Sequence, residues 1–82
     1  MSAKIDYKES VYKDLKRIGN PNAMRIVNKL EKVLSDNPNS GEPLKGKYEG
    51  LFKLRVGDYR AIYTKTKEGV LILRIRHRKH VY

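Results

Sequence analysis

Eighty-two residues, 39% of them hydrophobic, suffice for one domain spanning 1–82 with a modest core. No apolar run approaches the ~18 residues of a membrane span, and the absence of cysteine excludes disulfide staples, thiol catalysis and thiolate zinc sites. The formal charge of +10 is lopsided, with eight Lys/Arg against six Asp/Glu in residues 1–43 and eleven against three in residues 44–82, so the second half suits a polyanion.

The first residues, Met1 to Asp6, lack the apolar stretch of a secretory leader, which predicts a cytoplasmic protein. Ala3, Ile5 and Tyr7 alternate with Lys4 and Asp6 as a short strand. From Lys8, the apolar positions Val11, Leu15 and Ile18 follow helical spacing, and Gly19 supplies a C-terminal cap. Asn20 then reads as the N-cap of a second helix, with Pro21 at its first position, where a missing N–H is harmless. The stripe Met24, Val27, Leu30 and Leu34, joined by Ala23, Ile26 and Val33, carries that helix to Ser35 or Asp36, and Asn37-Pro38 stops it. Both helices read as scaffold. Residues 37–50 are rich in turn formers and make the main loop.

Two alternating runs follow, Leu51 to Val56 and Tyr59 to Thr64, joined by Gly57-Asp58. A two-residue connection with Gly first marks a hairpin with a type II′ turn. That turn sets Val56 opposite Tyr59, Arg55 opposite Arg60, Leu54 opposite Ala61 and Phe52 opposite Tyr63. Lys67-Glu68-Gly69 reads as a three-residue loop with Gly69 in the left-handed region. A last strand runs from Val70 to about Arg76, with Leu71, Leu73 and Ile75 facing the core. In that register Arg60 lies opposite Arg76, and Tyr63 and Ala61 oppose Leu73 and Ile75. The pattern predicts an α+β fold. A short N-terminal strand is followed by two helices packed on one face of a mostly antiparallel sheet that ends in a three-stranded meander.

Period two places Phe52, Leu54, Val56, Tyr59, Ala61 and Tyr63 on the core face and Lys53, Arg55, Arg60 and Ile62 on the other. Like charges directly opposite each other destabilise a sheet. A row of Arg55, Arg60 and Arg76 across three strands, flanked by Lys53, Arg74 and Arg78, therefore points to an anionic ligand, and a phosphate fits best. His77 falls on the core side and reads as structural. With both histidines near the C-terminus, no metal site is expected.

Glu-Pro-Leu-Lys-Gly (42–46), Gly-Asp-Tyr-Arg-Ala-Ile-Tyr (57–63) and the ending His-Arg-Lys-His-Val-Tyr (77–82) resemble the RelE/ParE superfamily of type II toxins. The RelE branch consists of ribosome-dependent endoribonucleases that cut mRNA without a metal or other cofactor, and the ParE branch poisons DNA gyrase. The resemblance implies a toxin held inactive by an acidic antitoxin that wraps the basic face, with the ribosome and mRNA as further partners. It implies that Arg60 supports the phosphate in the transition state and that Arg78 serves the leaving group or stabilises charge. Tyr82 would position the substrate nucleotide, and Lys53 would act as general base. Lys45 and Lys47 fall where basic residues contact RNA, and Arg55, Arg74 and Arg76 extend that surface. Glu42 matches a base used by a histidine-ending subgroup, with His80 as the further acid or base candidate. Leu51 stands where the better-known site has a second lysine, and His80 is displaced by one residue. The base is thus Lys53, Glu42 or His80.

The chemistry is coherent from below. Cleavage by the neighbouring 2′-hydroxyl needs a proton acceptor, cations to meet charge growing on the phosphate, and a donor for the leaving 5′ oxygen. Guanidinium groups suit the second task, because their planar fork matches phosphate oxygens. Two other functions fit the same basic face, a ParE-like poison of gyrase and a non-enzymatic RNA-binding module. The tail Arg/Tyr pair speaks against the first, and the scarcity of tyrosines on the open face speaks against the second.

Overall fold

The computed structural model describes residues 3–79. The elements are β1 (Lys4–Tyr7), α1 (Glu9–Ile18), α2 (Asn22–Asp36), β2 (Glu42–Pro43), a 3₁₀ turn at Gly46–Tyr48, β3 (Leu51–Val56), β4 (Tyr59–Lys65) and β5 (Gly69–His77). The strands form one sheet in the order β1-β5-β4-β3-β2, antiparallel except for the parallel pair β1–β5. The expected α+β architecture is observed, and the main loop contains the short edge strand β2 and the 3₁₀ turn.

The apolar stripes of the helices meet one face of this sheet. Val11, Ile26, Leu30 and Leu34 pack with Val56, Ala61, Tyr63, Val70, Ile72 and Ile75 in a single buried cluster, and Leu15, Ile18, Phe52, Leu54 and Tyr59 close its margin. Gly19, at φ +77, ends α1 as a glycine cap should, its N–H donating to the Leu15 carbonyl. The start of α2 differs from expectation. The helix opens at Asn22, and Pro21, already helical at φ −84 and ψ −6, takes the cap position without a side-chain bond. Asn20 is therefore not the cap.

The β3–β4 register is as the turn chemistry required, from Val56 opposite Tyr59 to Phe52 opposite Tyr63, with Gly57 at φ +59. The β4–β5 register holds for Arg60 opposite Arg76 and Ala61 opposite Ile75, then shifts between Ile62 and Tyr63. Ile62 faces Arg74 and Tyr63 faces Ile72, so Leu73 is an extra residue, a β-bulge. Alternation resumes beyond it in opposite phase. Gly69, Val70 and Ile72 are the buried residues of that half, while Leu71 and Leu73, expected in the core, are only half-buried.

Gly69 is the other correction. It lies inside β5, paired with Lys4, and is not among the glycines with positive φ. A Cβ there would sit 2.0 Å from the Lys4 carbonyl oxygen, so glycine is needed for the close approach of β1. The turn before it is closed instead by Thr66, whose N–H donates to the Gly69 carbonyl and whose hydroxyl accepts from the Gly69 N–H.

Strand β1 pairs with residues 69–72 of β5, and the outer edge beyond them has no neighbouring strand among the described residues. Helix α1 covers that edge with side chains. Ser10 Oγ donates to the Leu73 carbonyl (2.8 Å), and Asp14 Oδ2 accepts from the Ile75 N–H (3.0 Å).

Candidate functional site

The open face of the sheet carries the cationic row. Arg55, Arg60 and Arg76 are directly opposite one another across β3, β4 and β5. On the β2 side, a cleft of about 330 Å³ is lined by Ser40, Glu42, Lys53, Leu54, Arg55 and Arg60. Glu42 is opposite Lys53 in the β2–β3 pair, and its Oε2 lies 3.8 Å from Lys53 Nζ. A carboxylate, an ammonium and two guanidinium groups thus share one concave surface.

Arg60 is distinctive within it. Its Nε is buried and meets no hydrogen-bond acceptor among the described residues. A buried donor without a partner costs about 1–3 kcal/mol, and such groups are few in native proteins. A ligand oxygen is the natural acceptor.

Loop 38–41, which carries Ser40 into the cleft, is fixed from the core side. Tyr63 is fully buried, and its hydroxyl donates to the Pro38 carbonyl (3.1 Å) and accepts from the Gly41 N–H (2.9 Å). Burial pushes the phenol pKa above its ordinary value, partly opposed by the Gly41 N–H. A Cβ on Gly41 would come within 2.4 Å of that hydroxyl, so this position also needs glycine.

The remaining sequence candidates fall in several places. The Arg78 N–H donates to the Asp58 carbonyl (2.7 Å), and its Nε lies 3.8 Å from Asp58 Oδ1, which ties the tail to the β3–β4 turn. Lys45 and Lys47 are exposed, at the start of the 3₁₀ turn and within it, near the Leu51 end of β3 and away from the arginine row. Arg74 is not brought to the cleft. Its Nε and Nη2 bond bidentately to Asp14 at 2.9 and 3.0 Å, on the α1 side of the sheet edge. His77 is opposite Tyr59, with the two rings edge to face at 5.2 Å, and its Nδ1 accepts from the Lys79 N–H. It lies on the core side, as alternation required. His80 and Tyr82 fall outside the described residues.

Sequence reasoning passed over Asp14 and Ser40. Asp14 is 4% exposed, on the same helical face as Val11, Leu15 and Ile18. A carboxylate inside an apolar stripe is itself a signal, because burying it demands a partner. Burial works to raise its pKa, but the Arg74 guanidinium, the Ile75 N–H and the charge of Arg76 outweigh that and hold it below the ordinary carboxylate value. Among the described residues, no group of three or more His, Asp or Glu could hold a metal ion.

The sequence pattern of the ParE toxin of type II toxin–antitoxin systems, parDE, matches residues 5–82. Among solved structures, the chain is similar to one in the toxin–antitoxin complex RelBE2 from Mycobacterium tuberculosis. The two share 28% identity at a TM-score of 0.87, over 98% of this chain and 95% of that one. The archaeal RelE–RelB complex from Pyrococcus horikoshii shows the same fold at 22% identity and a TM-score of 0.73, covering 99% of this chain and 100% of that one. So does the isolated RelE toxin of E. coli, at 20% identity and a TM-score of 0.72, covering 93% of this chain and 84% of that one. No curated protein matches the sequence.

Proposed function

Because the chain belongs to the ParE toxin family of type II toxin–antitoxin systems, within the RelE/ParE superfamily, we propose that it is a cytoplasmic toxin that cuts mRNA on the ribosome and so stops translation. The observation that carries this reading is the cleft. It joins a carboxylate–ammonium pair to the arginine row, with one buried guanidinium nitrogen that meets no acceptor among the described residues.

In this reading the scissile phosphate lies against Arg60, between Arg55 and Arg76. The Glu42 carboxylate takes the proton of the 2′-hydroxyl, and Lys53 holds that carboxylate and adds positive charge. The 2′ oxygen then bonds to phosphorus, the bond to the 5′ oxygen breaks, and a 2′,3′-cyclic phosphate forms. Charge growing on the phosphoryl oxygens is met by the guanidinium groups, a contribution of ~10²- to 10³-fold per contact. Arg78, beside the turn, is the donor or charge partner for the departing 5′ oxygen, and Tyr82 positions the nucleotide. The side chains supply charge and proton transfer but little to orient a flexible strand, so the ribosome supplies orientation. An acidic antitoxin covers the basic face until it is removed. Similar structures that are toxin–antitoxin complexes support such a partner.

The test is primer extension on mRNA from translating cells after expression without antitoxin, beside purified protein given the same message naked or on ribosomes. Cuts within codons and efficient cleavage only on ribosomes support the reading. Equal rates with and without ribosomes exclude ribosome dependence. One observation favours a second reading, the poisoning of DNA gyrase, because the matching sequence pattern is that of ParE. Intact mRNA with trapped gyrase–DNA complexes would establish it.

A further inference from the structure

We propose that Asp14, on the helix side of the sheet and remote from the cleft, is a positioning residue for the arginine row, acting through the bulge in β5. This rests on the reading of the row as the phosphate site.

Ile72 and Ile75 are three residues apart, yet both are buried in the same cluster, which strict alternation forbids. Only the extra residue at Leu73 allows it. With the bulge, Val70, Ile72 and Ile75 all face the helices, and Arg76 emerges on the open face opposite Arg60. Without it, a strand that buried Val70 and Ile72 would turn Arg76 toward the core and break the row. A bulge re-aims the side chains beyond it, and this one aims Arg76.

A bulge disrupts its own ladder, so something else must hold it. Here α1 does. Ser10 donates to the carbonyl of Leu73, and Asp14 accepts from the N–H of Ile75 and from Nε and Nη2 of Arg74. Three consecutive residues, Leu73, Arg74 and Ile75, are thereby fixed from one helix, immediately before Arg76. Asp14 makes three of the four bonds and supplies the only charge among the acceptors. An asparagine there would keep the shape and could still accept from Ile75, but it would lose the charge-assisted fork to Arg74. The strand after the bulge would then be free to shift. A misplacement near 1 Å at a reacting group costs about 10²-fold in rate.

The experiment compares Asp14→Asn with Ile26→Val, a core variant of modest stability cost, at a temperature where both are fully folded by circular dichroism. Single-turnover and steady-state cleavage of ribosome-bound mRNA should show kcat lower by about 10- to 100-fold in Asp14→Asn. KM should move by less than about threefold, because contacts elsewhere dominate docking on the ribosome. Ile26→Val should keep wild-type kcat. Equal kcat in the two variants overturns the proposal, and so does a change confined to KM. If Asp14→Asn does not fold, Arg74→Gln removes the same fork from its other side and is read by the same split. A parallel arm measures binding of a 2′-O-methyl RNA hexanucleotide, which cannot be cleaved. If even the wild type leaves mRNA intact, the ribonuclease reading fails, and this arm alone judges Asp14. Weaker binding in Asp14→Asn than in Ile26→Val upholds its role, and equal binding removes it.

Discussion

Arg60 stands between two other arginines and keeps a buried Nε that bonds to nothing among the described residues. Adjacent arginines cost stability in the free protein, since unit charges ~5 Å apart repel by about 3 kcal/mol at an effective dielectric of 20 and by less where water and salt screen them. Arg60→Leu, next to a β-branched neighbour at Ile62, should therefore raise stability by ~0.5–1 kcal/mol while abolishing toxicity. Sulfate should stabilise the wild type more than the variant. Thermal melts at low and high salt, beside a growth assay, check both statements, and a loss of more than ~1 kcal/mol would contradict the strained row. Glu42 offers a second test at this scale. Glu42→Gln keeps the shape and removes the proton acceptor, so single-turnover cleavage should fall by ~10²-fold or more. Unchanged cleavage would pass the role of base to Lys53 or His80. The Arg55–Arg60 pair was legible in the sequence because Gly57-Asp58 admits few turn geometries, and one turn fixes every pair along its hairpin; Arg76 meets Arg60 as expected only because the bulge at Leu73 offsets a turn before β5 that differs from the expected one. The burial of Arg60 Nε was not legible, because burial of a single nitrogen depends on how loop and sheet close over it.

At the scale of elements, β5 shows where alternation fails as a guide. Val70, Leu71, Ile72 and Leu73 are all apolar, so this stretch has no parity to read, and an inserted residue leaves no trace in it. The phase was correct where charged residues mark it, at Arg74 to Arg78, and wrong before the bulge. The helices were legible from their stripes, but the use of α1 as a cover for a strand edge was not. That role depends on β1 ending opposite Ile72, a long-range fact. Two measurements follow. Gly69→Ala places a Cβ against the Lys4 carbonyl and should cost about 2–4 kcal/mol, measured by urea unfolding. A cost under ~1 kcal/mol would mean that β1 yields easily. The Asp14 carboxyl is held below its ordinary value by Arg74, Ile75 and Arg76 against the opposing effect of burial. A depressed folded pKa gives stability that is present above the unfolded value, ~3.9, and lost as pH falls through the folded one. Acid unfolding of the wild type should therefore steepen below about pH 4, and Asp14→Asn should lack that part of the slope.

Across the whole molecule, the two faces of the sheet carry different residues. The helix side holds the core, and the open side presents the arginines, with Lys53 midway along β3 and Lys45 and Lys47 at its far end. Each cation that meets a phosphate of single-stranded RNA contributes a slope of about −0.7 to log K against log salt. Lys45→Ala and Lys47→Ala should each reduce that slope by roughly this amount, and weaken RNA binding without changing the cleavage step once bound. A filter-binding titration at several salt concentrations measures it, and an unchanged slope would remove these lysines from the interface. The strand order has a further consequence, for the timing of synthesis. β5 lies inside the sheet between β1 and β4, yet it is the last of the five strands to leave the ribosome. Until it arrives, β1 has no partner and the helices have no complete surface to cover. The same strand delivers Arg76, so the newborn chain acquires its fold and its third arginine together. Nascent chains arrested before Gly69 should be digested by protease as readily as an unfolded peptide, and chains arrested with His77 well clear of the exit tunnel should resist. Resistance in the shorter chains would show that β1 to β4 fold without it.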